Sequence, residues 1–232
     1  ETFGDGLDAH FRDHPNDDLV MMRPASHGAA ERMQGLVADR GGDLEIVDNE
    51  MYLCSRSEFD QWATDQSGTY RHEDFYRHVR RETGYLLVDG EPVGGEWNYD
   101  DHNRETPPED HDPPPVPRFE PDDLTRETEQ WVAERFSGGY EEPPHGGDWA
   151  DPEAFFWPVT REQALEALEH FVEHRLVAFG PYQDAMLDDE WSLNHSLLST
   201  SLNLGLLHPA EVVERAIEAA EESPDVPLNS LE

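Results

Sequence analysis

The chain has 232 residues, with 53 Asp plus Glu against 16 Lys plus Arg, for a formal charge of −37. All 16 bases are Arg. No apolar run approaches the ~20 residues that a membrane span needs, and nothing at Glu1 resembles a signal peptide. The single cysteine, Cys54, excludes an internal disulfide and a cysteine-ligated cluster within this chain, so a reducing, cytoplasmic setting is expected.

In chain order, Leu19-Val20-Met21-Met22 reads as a short buried strand. Ser26 is expected to cap a helix carrying Ala29, Ala30, Met33, Leu36 and Val37, which Gly41-Gly42 ends. Leu44-Glu45-Ile46-Val47 is the next strand, and a strand–helix–strand unit of this size predicts parallel pairing. Helices are predicted over 57–65 and 72–83. The second carries a local basic cluster at Arg77, Arg80 and Arg81. Residues 85–88, followed by Gly90, read as a strand and a turn. Seven prolines between 107 and 121 (Pro107, Pro108, Pro113, Pro114, Pro115, Pro117 and Pro121) predict a stiff, polyproline-like connector and a domain boundary. Beyond it the pattern is helical. One helix is predicted over 122–136 and a loop over 138–152. The capping box Thr160-x-x-Gln163 opens a helix to about Leu176. Pro209 starts another helix, with Val212, Val213, Ala216, Ile217 and Ala220 on one face.

Four constellations bear on chemistry. His170-x-x-Glu173-His174 matches the H-x-x-E-H pattern of inverted zinc peptidases. The helical wheel, however, puts Leu165, Leu168, Phe171, Val172 and Leu176 on one face and both histidines opposite, among Glu residues. A solvated face is therefore expected, and no metal site is assigned; His10-x-x-x-His14 reads the same way. Cys54, at an expected strand end, reads as a small hydrophobe. Residues 94–104 hold two glycines, then Trp97, Tyr99 and Arg104. The plain reading is an ordered linker whose aromatics pack between domains. The functional reading brings Arg104 to an anionic partner, because an Arg fork suits phosphate. In residues 195–209, small hydroxyl residues gather at a helix start. That fits phosphate binding through amides and hydroxyls, and it equally fits plain capping by Ser196 or Ser199.

The last segment resembles the flavin-phosphate loop of the photolyase/cryptochrome superfamily, T-S-x-L-S-x-x-L-x-x-G-x-L-S-P. Ser196, Leu198, Ser199, Leu202, Gly205, Leu207 and Pro209 stand in register, while His195 replaces the Thr and His208 the second Ser. Phe179-Gly180-Pro181-Tyr182-Gln183-Asp184-Ala185-Met186 is similar to the prokaryotic branch with an iron–sulfur cluster, which includes the bacterial (6-4) photolyases or deoxyribodipyrimidine photolyase-related proteins. Residues 71–84, 92–104, 118–122, 157–161 and 227–232 follow that branch in order.

The resemblance implies an α/β followed by all-α fold. Residues 1–65 are expected to be part of a Rossmann-like antenna domain and 66–121 an interdomain linker region. Residues 122–232 are expected to be the first part of a helical FAD-binding domain, the whole being a fragment of a longer protein. It implies a monomeric enzyme without membrane attachment that repairs UV-damaged DNA by light-driven electron transfer from FAD. It also implies a [4Fe–4S] cluster and an antenna chromophore in the parent, with ligands absent here. By resemblance, FAD phosphates fall to Ser196, Leu197, Leu198 and Ser199, with His195 and Asn203 beside them. Arg104 is a lesion-side contact, and no catalytic residue lies in this chain. Gly205 is expected to be a position where bulk disturbs the following helix. A cryptochrome-like light sensor without repair, or a folded fragment without enzymatic activity, shares the same motifs.

Acids and Arg without Lys resemble halophile surfaces. In molar salt the Debye length falls to ~3 Å, and surface self-repulsion is screened. Such charge opposes DNA binding in ordinary buffer, an objection that weakens in molar salt.

Overall fold

The computed structural model describes residues 2–15, 17–136, 155–188 and 190–232. These are mostly helical, with two small two-stranded sheets. The chain divides into two compact units, Glu1–Val93 and Gly94–Glu232.

The first unit opens with a helix that the sequence reading did not anticipate, α1 (Phe3–Asp13). Its signals are Thr2 and Asp5, which form a capping box, and Phe11, which is buried. Strand β1 (Leu19–Met22), helix α2 (Ala29–Ala38) and strand β2 (Leu44–Val47) follow as expected. The strands pair in parallel, Leu19 opposite Leu44 and Met22 opposite Val47. Ser26 does not cap α2. The chain enters that helix through Gly28 at φ 71°, and Ser26 contributes only its carbonyl, which accepts from the Ala29 amide at 3.3 Å. At Gly42 a Cβ would stand 2.6 Å from the Phe11 ring, so glycine permits Phe11 to reach the fully buried Val37. Arg40 ties α1 to α2, donating to Asp8 (2.7 Å), the Gly4 carbonyl (3.2 Å) and the Leu36 carbonyl (2.8 Å).

Helices α3 (Arg56–Thr64) and α4 (His72–Thr83) meet through the rings of Phe59, Trp62 and Phe75, with centroids 5.0–5.7 Å apart. The basic cluster of α4 is largely consumed internally. Arg80 is buried and donates to the Leu86 carbonyl at 2.7 Å, while Arg77 pairs with Glu73 at 2.7 Å. Strands β3 (Leu87–Val88) and β4 (Glu91–Pro92) form a hairpin through Asp89 and Gly90, both at positive φ (53° and 83°), as a primed turn requires.

The second unit holds α5 (Asp123–Phe136), α6 (Arg161–His174), α7 (Leu176–Phe179), α8 (Ser199–Asn203), α9 (Pro209–Glu222) and α10 (Leu228–Leu231). The expected box at Thr160 and the expected start at Pro209 both act, and the structure adds a second box. Thr160 and Gln163 close a box at α6, and His208 with Glu211 closes one at α9, where Pro209 takes the first turn. The core is Ala164, Ala167, Leu168, Phe171 and Val172 of α6, Leu176 of α7, Ala216 and Ala219 of α9, and Leu198 and Leu207 between them. Leu165 is a correction: it is 40% exposed, because Ala164 and Ala167 occupy the position facing α9. Tyr99 packs beside Gly94 and α10, and its amide donates to Glu232. The proline tract lies inside this second unit. The loop expected over 138–152 lies outside the described residues. Among the described residues no helix is long and apolar enough to cross a membrane.

A candidate phosphate-binding loop

Residues 195–209 form a turn and one short helix anchored at both ends in the core. Leu198 and Leu207 are each 1% exposed, and they bracket α8. Ahead of it, Leu193 and Leu197 take positive φ (38° and 59°), which a branched side chain adopts only when its surroundings hold it there. The left-handed residue at 197 turns the backbone into α8. The N–H groups of Ser199, Thr200 and Ser201, the first of α8, find no carbonyl acceptor among the described residues, as at any helix start. Leu198 occupies the cap position with no side-chain capping bond, so Ser199 is not a cap. Its side chain is exposed instead, as is that of Asn203. Ser196 accepts a long bond from the Leu198 amide at 3.4 Å. The hydroxyls of Thr200 and Ser201 are buried with no partner among the described residues. Gly205 is exposed and sits at φ 69°, a left-handed backbone that glycine adopts without strain.

Downstream, the carbonyl of Ser201 accepts from the Leu206 amide at 2.9 Å. The His208 imidazole accepts from the Ala210 amide at 3.1 Å. Arg161 at the start of α6 donates to the Leu206 carbonyl at 2.6 Å and forks onto Glu211. That fork, together with the His208 amide, pulls the Glu211 carboxyl down to about 2. The exit from the loop is thereby fixed to α6 and α9 together.

The entry is fixed by Arg175, which has no exposed surface. One terminal nitrogen donates to the Leu193 carbonyl (2.6 Å) and the His195 carbonyl (3.5 Å). The other donates to the Pro114 and Pro115 carbonyls (2.6 and 3.2 Å), and the Nε is buried without a partner. Proline-tract carbonyls suit this role, since a proline-rich stretch has few N–H donors of its own to occupy them. Desolvating a guanidinium costs several kcal/mol, and hydrogen bonds to a charged donor return about 1.5–3 kcal/mol each. The sequence carried a partial signal: Arg175 stands at the C-cap of α6, directly before the apolar run that opens α7, where the buried Leu176 draws it inward.

The other candidate residues lie elsewhere. Arg104 is held by carboxylates: Asp100 at 2.5 Å, Asp184 at 3.3 Å and Asp101 at 3.7 Å. It borders a hollow of about 310 Å³ shared with Thr106, Pro107 and Met186. His170 and His174 pack edge to face at 4.8 Å. His174 is exposed as expected, but His170 is half-buried, and burial lowers its proton affinity, aided by the charges of His174 and Arg175. Among the described residues no group of three or more His, Cys, Asp or Glu is placed to hold a metal ion. Cys54 follows a turn, not a strand, because β2 ends at Val47. Burial, with Glu58 and Glu82 nearby, pushes its thiol up, away from the reactive thiolate.

Two comparisons bear on this geometry. Residues 1–149 match the family described as deoxyribodipyrimidine photo-lyase-related protein. Over 221 residues the chain is 36% identical to a (6-4) photolyase of Agrobacterium fabrum (strain C58 / ATCC 33970), covering 93% of this chain and 41% of that protein. The chain thus spans less than half the length of this relative.

Proposed function

Because the chain belongs to the deoxyribodipyrimidine photo-lyase-related protein family, we infer that it is part of a light-driven DNA photolyase and supplies the phosphate side of its FAD site. Residues 1–65 are read as part of a Rossmann-like antenna domain, 66–121 as the linker region and 122–232 as the first part of the helical FAD-binding domain. The parallel β1–α2–β2 unit and the helical core around α6 and α9 support that reading.

The observation that carries the site is the left-handed turn at Leu197, which leaves the α8 amides open beside the exposed Ser199 hydroxyl. Amides at a helix start and small hydroxyls suit phosphate oxygens. The buried, partnerless hydroxyl of Thr200 fits the same group. Ser196 and Ser199 would hold the phosphates with the amide of Leu197 and with that of Leu198 once its long bond to Ser196 is released, with His195 and Asn203 at the margin. When bound, FAD supplies photoexcited electron donation to a UV lesion in DNA, followed by return of that electron. This chain's own residues bind and orient the phosphates and exclude water behind them through Leu198 and Leu207. The one cysteine is not enough for the four-cysteine ligation of a [4Fe–4S] cluster. That cluster and the antenna chromophore, if carried by the parent, use residues outside this sequence.

Equilibrium dialysis of the 232-residue chain against FAD and against riboflavin, which lacks phosphate, tests the assignment. Preference for FAD is expected. Ser199→Ala should reduce it by about 1.5–3 kcal/mol, the worth of one hydrogen bond to a charged group. Equal retention of FAD and riboflavin overturns the phosphate assignment.

A further inference from the structure

We propose that Arg175 is the positioning residue of the phosphate loop. It fastens the loop entry to the proline tract, making that tract the back wall of the site, and it leaves its positive charge for the bound phosphate to answer. The functional consequence rests on the flavin-phosphate reading of residues 195–209; the fastening itself does not.

Three observations lead there. First, the guanidinium is divided by geometry, with one terminal nitrogen on Leu193 and His195 and the other on Pro114 and Pro115. Only a planar fork spans both segments; an ammonium, a point donor, does not. Second, every partner is a neutral carbonyl, although the chain has 53 acids. No carboxylate pairs with Arg175 among the described residues, and burial lowers its proton affinity. Carbonyl dipoles satisfy its hydrogens without cancelling its charge. The charge is felt nearby, since Arg175 is among the causes that lower the proton affinity of His170. Third, the carbonyls it grips lie two and four residues before Leu197, whose left-handed backbone opens the α8 amides. Loss of the grip releases that turn.

The test uses the 232-residue chain with Arg175→Lys, which keeps charge but loses the fork, and Arg175→Met, which loses both. Hydrogen exchange is read over 192–203, over α9 and at the amides of Val116 and Arg118. ADP, carrying the phosphates without the flavin, is the binding probe. Arg175→Lys should speed exchange over 192–203 by about tenfold or more, the equivalent of one charged hydrogen bond, while α9 is unchanged. ADP binding should weaken in the order wild type, Lys, Met. Uniform acceleration, or none, overturns the proposal, as does unchanged ADP binding with a loosened loop. If the wild-type chain ignores ADP while Arg175→Lys still loosens 192–203 alone, the fastening stands and the phosphate reading falls. Should neither variant fold, the unmutated chain decides. ADP must slow exchange over 192–203 and at Val116 and Arg118 together, and protection of 192–203 alone overturns the coupling.

Discussion

The amide of Gly180 donates to the hydroxyl of Ser230 at 2.8 Å, at a place where a Cβ on residue 180 would lie 2.5 Å from the Asn229 carbonyl carbon and oxygen and the Ser230 nitrogen. The end of α7 and the start of α10 meet there backbone to backbone. Asn229 extends the contact, donating to the His102 carbonyl and to Asn103 at 3.0 Å each.

Gly180→Ala should therefore destabilise the second unit by about 1–3 kcal/mol, because the obstacle is main chain and cannot rotate away. Adding Ser230→Ala should give no rescue. Thermal melting of the two variants checks this, and recovery in the double variant would mean that the side chain, not the backbone, is the obstacle.

Glu211 should make stability depend on acid pH. Its folded carboxyl sits at about 2 against an ordinary 4.5, so its contribution is fully present above about pH 4.5 and is lost as pH falls through about 2. Both partners are substantially exposed (Glu211 39%, Arg161 48%), so solvent screening holds the effect to about 1 kcal/mol or less. Glu211→Gln should lower the Tm at pH 7 and leave it unchanged near pH 2. An equal deficit at both pH values would assign the loss to packing.

Gly205 should discriminate by backbone preference and not by size. At φ 69°, Gly205→Ala should cost about 1 kcal/mol, Gly205→Val more and Gly205→Asn least. Urea denaturation of the three variants ranks them, and a ranking by volume would restore the packing explanation.

The charge of −37 should make folding salt-dependent. At low ionic strength unscreened repulsion opposes the compact state, and molar KCl shortens the Debye length to ~3 Å. Circular dichroism across a KCl series is expected to show helix content and Tm rising with salt. Identical spectra and melting points from low to molar salt would remove the halophile reading.

Elements whose causes are local follow from the order of residues. Capping boxes at Thr160 and His208 act within three residues, and the alternation of β1, α2 and β2 follows from short apolar runs separated by Gly41-Gly42. Helix α1 has an equally local cause, Thr2 and Asp5 ahead of Phe11, which the sequence reading missed. The register of the 195–209 loop against the flavin-phosphate motif was also readable, because it depends only on spacing. Tertiary structure alone decided the rest. Arg175 finds its acceptors on Leu193, 18 residues later, and on Pro114, 61 residues earlier. Arg104 is occupied by Asp184, 80 residues away. Gly180 is forced by a segment that returns 50 residues on. A wheel or a motif orders residues along one element, whereas the side a charged or small residue faces is set by which distant backbone comes to rest against it. At Arg175 that backbone was the proline tract, whose carbonyls are left to distant donors because the stretch around them has few N–H groups.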